Sequence, residues 1–106
     1  MKGAGLGGCV ATKNLLQKKG TLKWCYKDVP VNDLDNGWRF LSDIDTQEYL
    51  NDPSHSVVCD WNTIVEIEPA VLPLFYLPIG TDLVFVEENG RKFFISAKTG
   101  KELKLY

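Results

Sequence analysis

The segment Leu22-Lys23-Trp24-Cys25-Tyr26-Lys27 alternates in side-chain character with period two. That spacing predicts a half-buried strand with Leu22, Trp24 and Tyr26 on one face and Lys23, Cys25 and Lys27 on the other. A second alternation follows in Trp38-Arg39-Phe40-Leu41, where Trp38 and Phe40 share a face and Arg39 points away. Asn36-Gly37, just before it, is a dipeptide suited to positive φ and predicts a turn that feeds this strand. Cys9-Val10-Ala11-Thr12 and Ser56 through Trp61 predict two further strands.

Helical signals are short. Asp45-Thr46-Gln47-Glu48 has the spacing of a capping box, with Asp45 accepting backbone N–H groups and Glu48 reaching back, so a helix to Leu50 or Asn51 is expected before Asp52-Pro53 closes it. Asn62 can cap a turn or helix containing Ile64, Val65 and Ile67. Pro69 suits a first helical turn, but Pro73 removes a hydrogen bond and keeps that element short or kinked. Asn14 to Gly20 reads as a polar connection with about one helical turn.

The clearest local unit is Leu83–Glu88, Asn89-Gly90 and Arg91–Ile95, a hairpin closed by a type I′ turn. Its implied register sets Glu88 opposite Arg91, Glu87 opposite Lys92, Val86 opposite Phe93 and Phe85 opposite Phe94, each a favourable cross-strand pair. Lys98 through Lys101 is a further turn that could return Leu103, Leu105 and Tyr106 as a last strand. The sum is an α+β fold, mainly antiparallel β-sheet with one or two short helices packed on one face and a C-terminal β-hairpin. At 106 residues and 44% hydrophobic content the chain forms one domain, 1–106, with residues 1–7 expected to be a flexible lead-in.

Charge changes this picture more than composition does. The net charge is −2, yet residues 1–27 hold six lysines and no acid, and residues 28–60 hold eight acids against Arg39 alone. The lysines are dispersed and the pI is near 5.3, which argues against a nucleic-acid surface. No apolar run has the length of a membrane span or the shape of a signal peptide, so a cytoplasmic protein without membrane contact is expected.

Chemistry-bearing patterns are weak. Gly3, Gly5 and Gly8 match a dinucleotide fingerprint by letter, but no strand precedes them and no helix follows. Cys9, Cys25 and Cys59 are odd in number and widely spaced, matching neither a disulfide framework nor a zinc site, and His55 is the sole histidine. No residue pattern supplies a base for an activated thiol, and the paired acids sit in turns where capping and surface charge explain them. No enzyme activity, cofactor or metal is therefore expected. Trp24, Trp38 and Trp61 are expected mainly in the core.

Several segments together resemble a known family: Gly8-Cys9-Val10 with Thr12-Lys13, Trp24-Cys25-Tyr26, Asp35-Asn36-Gly37-Trp38-Arg39-Phe40-Leu41-Ser42, Glu48-Tyr49-Leu50-Asn51-Asp52-Pro53, Asn62-Thr63-Ile64 and Pro78-Ile79-Gly80. Across residues 8 to 96 the chain is similar to a bacterial family formerly known as a domain of unknown function and now described as immunity proteins of polymorphic toxin systems, the thirty-third of its numbered series. The resemblance implies a non-enzymatic inhibitor that binds a cognate toxin. If residues 33 to 52 form one face, Asp33, Asp35, Asp43, Asp45, Glu48 and Asp52 would steer a basic partner, with Trp38 or Tyr49 as an aromatic anchor. The alternatives are a regulatory or weakly homodimeric interaction module and, further off, a small thiol-dependent enzyme.

Overall fold

The computed structural model describes residues 6–104. Six strands, β1 (Gly8–Thr12), β2 (Leu22–Lys27), β3 (Asp35–Ser42), β4 (Ser56–Asp60), β5 (Asp82–Glu88) and β6 (Arg91–Ser96), form one sheet in the order β4-β1-β3-β2-β5-β6. Every pairing is antiparallel except β1 with β3. Between them lie three short α-helices, α1 (Lys13–Leu16), α2 (Gln47–Leu50) and α3 (Trp61–Ile67), and two 3-10 segments, Pro53–His55 and Pro69–Leu74. The expected α+β class is the observed one, and β5–β6 is the expected hairpin, in the expected register. Asn89 and Gly90 both have positive φ, 53° and 79°, as a type I′ turn requires.

One irregularity redirects β2. Leu22 pairs with Ser42 and Trp24 with Leu41, so two steps along β2 match one step along β3. The extra residue is a bulge, and a bulge reverses which face the following side chains take. Leu22 therefore points into the core, whereas Trp24 and Tyr26 emerge on the opposite face, 37% and 38% exposed. Cys25, expected on the polar side, is fully buried instead. The simple alternation through Leu22, Trp24 and Tyr26 is corrected on this point.

A second irregularity lies in β3. Gly8 pairs with Asp35 and Val10 with Arg39, so Asn36-Gly37 is extra chain inside the strand and not a turn ahead of it. Gly37 has φ +91°, and a Cβ there would stand 2.4 Å from the Asp28 carbonyl oxygen, so only glycine fits. The chain reversal occurs earlier, where the Asn32 side-chain oxygen accepts from the N–H groups of Leu34 and Asp35.

The core covers one face of the sheet. Trp38 and Phe40 from β3, Cys25 from β2, Leu83 and Phe85 from β5 and Phe94 from β6 meet Leu15 of α1, Trp61 and Ile64 of α3, and Val71 and Leu74 of the second 3-10 segment. The rings of Trp38, Phe40 and Trp61 form a triangle with centroids 5.8 to 6.2 Å apart. Trp38 Nε1 donates to the Phe75 carbonyl at 3.3 Å, which satisfies its polar atom in the interior.

Several local expectations shift by a residue or a partner. α2 is capped by Thr46, whose hydroxyl accepts from Tyr49 N–H, and not by Asp45. α3 begins at Trp61 with Asp60 in the cap position and no side-chain cap bond, so Asn62 lies inside it. Along the hairpin, Lys92 bonds Glu68 at 3.0 Å and Arg91 bonds Glu102, because long cationic side chains reach beyond the residues opposite them. The last strand is reduced to one bridge, Ile95 with Glu102, and Leu105 and Tyr106 lie outside the described residues. Residues 1–5 of the expected lead-in also lie outside them, and the carbonyls of Leu6 and Gly7 accept from Asn36 Nδ2 and Trp61 N–H.

Candidate functional site

With α1, α3 and the second 3-10 segment packed on one face, the other face of the sheet keeps exposed apolar and aromatic side chains. Register places Val58, Val10, Arg39 and Tyr26 in one row across β4, β1, β3 and β2, since Val10 pairs with both Val58 and Arg39, and Arg39 with Tyr26. A neighbouring row runs Leu41, Trp24, Val84 and Ile95 across β3, β2, β5 and β6. Val58 is 78% exposed, and the two rings of β2 are more than a third exposed. Exposed apolar side chains grouped on one flat element are the usual mark of an interaction surface.

Arg39 sits in the middle of this face and is held there. Its guanidinium donates to both carboxylate oxygens of Asp35, Nη1 to Oδ1 at 2.9 Å and Nη2 to Oδ2 at 2.8 Å. Asp35 also accepts from Val31 N–H and Gly37 N–H. The Arg39 bonds, together with those backbone donors, hold the Asp35 carboxyl well below the usual carboxylate range despite partial burial, and the same pair raises Arg39.

α2 closes one end of the face. Gln47 and Leu50 share a depression of about 310 Å³ with Val10, Tyr26, Arg39 and Leu41. Tyr49 stacks on His55, ring centroids 4.0 Å apart at 12°, and the Tyr49 carbonyl is 2.7 Å from His55 Nδ1. At the other side a groove of about 620 Å³ runs between the β2–β3 loop and β4, lined by Val31, Leu34, Val58, Cys59 and Asp60 among others. Val31 and Leu34 are each 78% exposed. Charge patterning did not single out these apolar loop residues, although two exposed aliphatics in a polar turn were a readable signal.

The acids named from sequence are not gathered into one face. Asp33 is exposed before β3, and Asp43 to Asp52 follow its far end, so the length of that strand lies between the two groups. Asp35 is committed to Arg39. Trp38 is 0% exposed and belongs to the core, so it cannot serve as an anchor for a partner. Asp43 accepts from Thr21 N–H and lines a different depression with Leu22, Lys23, Glu68 and Lys92.

Asp45 is buried. It accepts from Ser42 N–H at 2.7 Å and from Asn14 Nδ2 at 2.8 Å; burial opposes its ionisation, yet these hydrogen bonds outweigh that and lower its pKa. Glu48 is exposed on α2 and Tyr49 is half-buried beneath His55. Asp52 is exposed and is lowered by bonds from Ser54 N–H and hydroxyl. Of the acids named from sequence, Asp33 ahead of β3 and Asp43, Glu48 and Asp52 after it are thus the exposed ones, while Asp60, also exposed, lines the groove beside Val58.

Two cysteines that are 50 positions apart in sequence meet in the fold. Cys9 and Cys59 are directly opposite on β1 and β4, with Sγ atoms 3.8 Å apart. The hydrogen-bonding contact between the two sulfurs lowers the Cys59 thiol, and the same contact, with burial, raises Cys9. Cys25 lies apart from them in the core, where burial pushes its thiol up to about 12. Spacing alone could not show the Cys9–Cys59 pairing, which depends on β4 folding back beside β1. Among the described residues no group of three or more His, Cys, Asp or Glu side chains is placed to hold a metal ion.

The family model described as Immunity protein Imm33 domain matches residues 9–95. The chain belongs to this family. The matched span runs from Cys9 in β1 to Ile95 in β6, so it takes in all six strands but for the end residues Gly8 and Ser96. No curated protein and no solved structure matches the chain. No helix of the described residues is long and apolar enough to cross a membrane.

Proposed function

We propose that the immunity domain neutralises a cognate bacterial toxin by binding it directly, without catalysis of its own. Membership of the immunity family over residues 9–95 carries this reading. The structure supplies a surface suited to it: the open face of the sheet, with Trp24 and Tyr26 as aromatic anchors, Val10 and Val58 beside them, and the Arg39–Asp35 pair held rigid in the centre. Aromatic and arginine side chains on a rigid element are the groups that dominate binding energy in protein interfaces.

Asp33, Glu48, Tyr49 and Asp52 form the rim of this surface in the proposal, where exposed carboxylates speed encounter with a basic partner. Asp35, Asp43 and Asp45 act otherwise, in folding and turn bonding. This division replaces a continuous acidic face with an apolar centre and a sparse negative edge.

The test is co-expression with a toxin domain encoded by a neighbouring gene. Stable co-purification, with protection of a host from that toxin, is the expected result. A toxin that neither binds nor is neutralised would remove the reading. If binding occurs and Trp24→Ala with Tyr26→Ala leaves it unaltered, the partner is right and the open face is wrong.

A further inference from the structure

We propose that Cys9 and Cys59 are a thiol modification site that closes reversibly into a disulfide, stapling the edge strand β4 to β1 when a small-molecule disulfide oxidant is present. The geometry stands independently of the toxin-binding reading. The two residues are direct antiparallel partners, and residues opposite each other in such a pair have Cα atoms about 4.5 or 5.5 Å apart, both within the span that a disulfide bridges. Their sulfurs are already 3.8 Å apart, so side-chain rotation, not strand movement, completes the approach.

Access is unequal in a way that orders the chemistry. Both line the 620 Å³ groove beside Val31, Leu34 and Val58, but Cys9 is only 1% exposed, whereas Cys59 on the edge strand is half-buried and presents the more open sulfur. The more open Cys59 sulfur is the one an oxidant in the groove reaches first, and its contact with the Cys9 sulfur favours the thiolate there. The Cys59 thiolate attacks one sulfur of the oxidant, forming a mixed disulfide and releasing one thiolate. Cys9 then loses its proton to solvent and attacks Cys59 Sγ, expelling the second thiolate. In balance, two cysteine thiols and one disulfide become one protein disulfide and two small thiols.

Burial of two cysteines as small apolar fillers does not require them to face each other, and Cys25 is buried without such a partner. A disulfide in a reducing compartment is characteristically transient and redox-sensing, which suits a site that an exogenous thiol can reopen. Closure ties the strand carrying Val58 to the next strand by a covalent bond, next to the groove at the margin of the open face.

The full chain, treated with glutathione disulfide, quenched with acid and alkylated under denaturing conditions, tests the site. Expected is a fall from three alkylatable thiols to one, a mass lower by two hydrogens, a peptide map joining the Cys9 and Cys59 peptides, and full recovery on adding a reductant. Cys25→Ser should retain the link, and Cys9→Ser should stop at a lasting glutathione adduct on Cys59. A lasting adduct on Cys59 in the unsubstituted chain, links between chains in place of the internal one, or three thiols unaltered by the oxidant would each overturn the proposal. The unsubstituted chain alone gives these outcomes should Cys9→Ser fail to fold.

Discussion

Arg39 and Asp35 are joined by two parallel hydrogen bonds across a bulge within the same strand, so a charge pair pins the irregular part of β3. Their side chains are 12% and 9% exposed, and removing one partner would leave the other charge largely desolvated. Asp35→Asn should therefore cost about 3 kcal/mol, the low end for a buried pair because some solvent remains, measured by urea unfolding at neutral pH. The same pair sets a pH dependence. Asp35 is depressed in the folded state, so its stabilisation is present above the unfolded carboxylate value, about 3.9, and is lost as pH falls through that value towards the lower folded one. Asp35→Asn should show a smaller loss of stability than the unsubstituted chain over that acid range.

Gly37 and Gly90 separate two costs of a side chain at positive φ. At Gly90, φ +79° with open space around it, alanine should cost about 1 kcal/mol through backbone strain alone. At Gly37, the added Cβ would also strike the Asp28 carbonyl oxygen at 2.4 Å, and Asp28 N–H donates to the Gly37 carbonyl. Gly37→Ala should lower the thermal midpoint clearly further than Gly90→Ala, read by circular dichroism on both variants.

Trp38 and Trp24 should part company under substitution. Trp38→Ala removes a fully buried ring from the triangle with Phe40 and Trp61 and should cost about 3–5 kcal/mol. Trp24→Ala and Tyr26→Ala remove rings already more than a third exposed, and should leave the unfolding midpoint within about 1 kcal/mol of the parent while weakening partner binding at least tenfold. Calorimetric titration beside thermal unfolding checks both halves.

Charge reversal at Asp33, Glu48 and Asp52 should slow association with a basic partner, and the difference should shrink as salt rises. Reversal at Asp45 is a different experiment. It breaks bonds to Ser42 and Asn14 in a buried site and should unfold the chain before it informs on binding. Stopped-flow association at two ionic strengths, on variants shown to be folded, distinguishes the two.

Local pattern by itself determined the elements whose causes are local. The β5–β6 hairpin and its register follow from Asn89-Gly90 and the charges and rings beside it, and Pro73 confines the segment after Pro69 to a short 3-10 turn. The family, too, was legible, since the matching segments are contiguous stretches of sequence.

What tertiary structure alone decided are the properties that depend on a neighbouring strand. The bulge opposite Ser42 and Leu41 turned Trp24 and Tyr26 outward and Cys25 inward, reversing a period-two reading that assumed an unbroken strand. Asp45 became an internal acceptor because Asn14 arrives beside it from 31 positions away. Cys9 and Cys59 met because β4 lies antiparallel on β1, and the acids divided because β3 holds its ends apart. In each case the deciding contact joins residues that one-dimensional spacing cannot bring together, and strand pairing does.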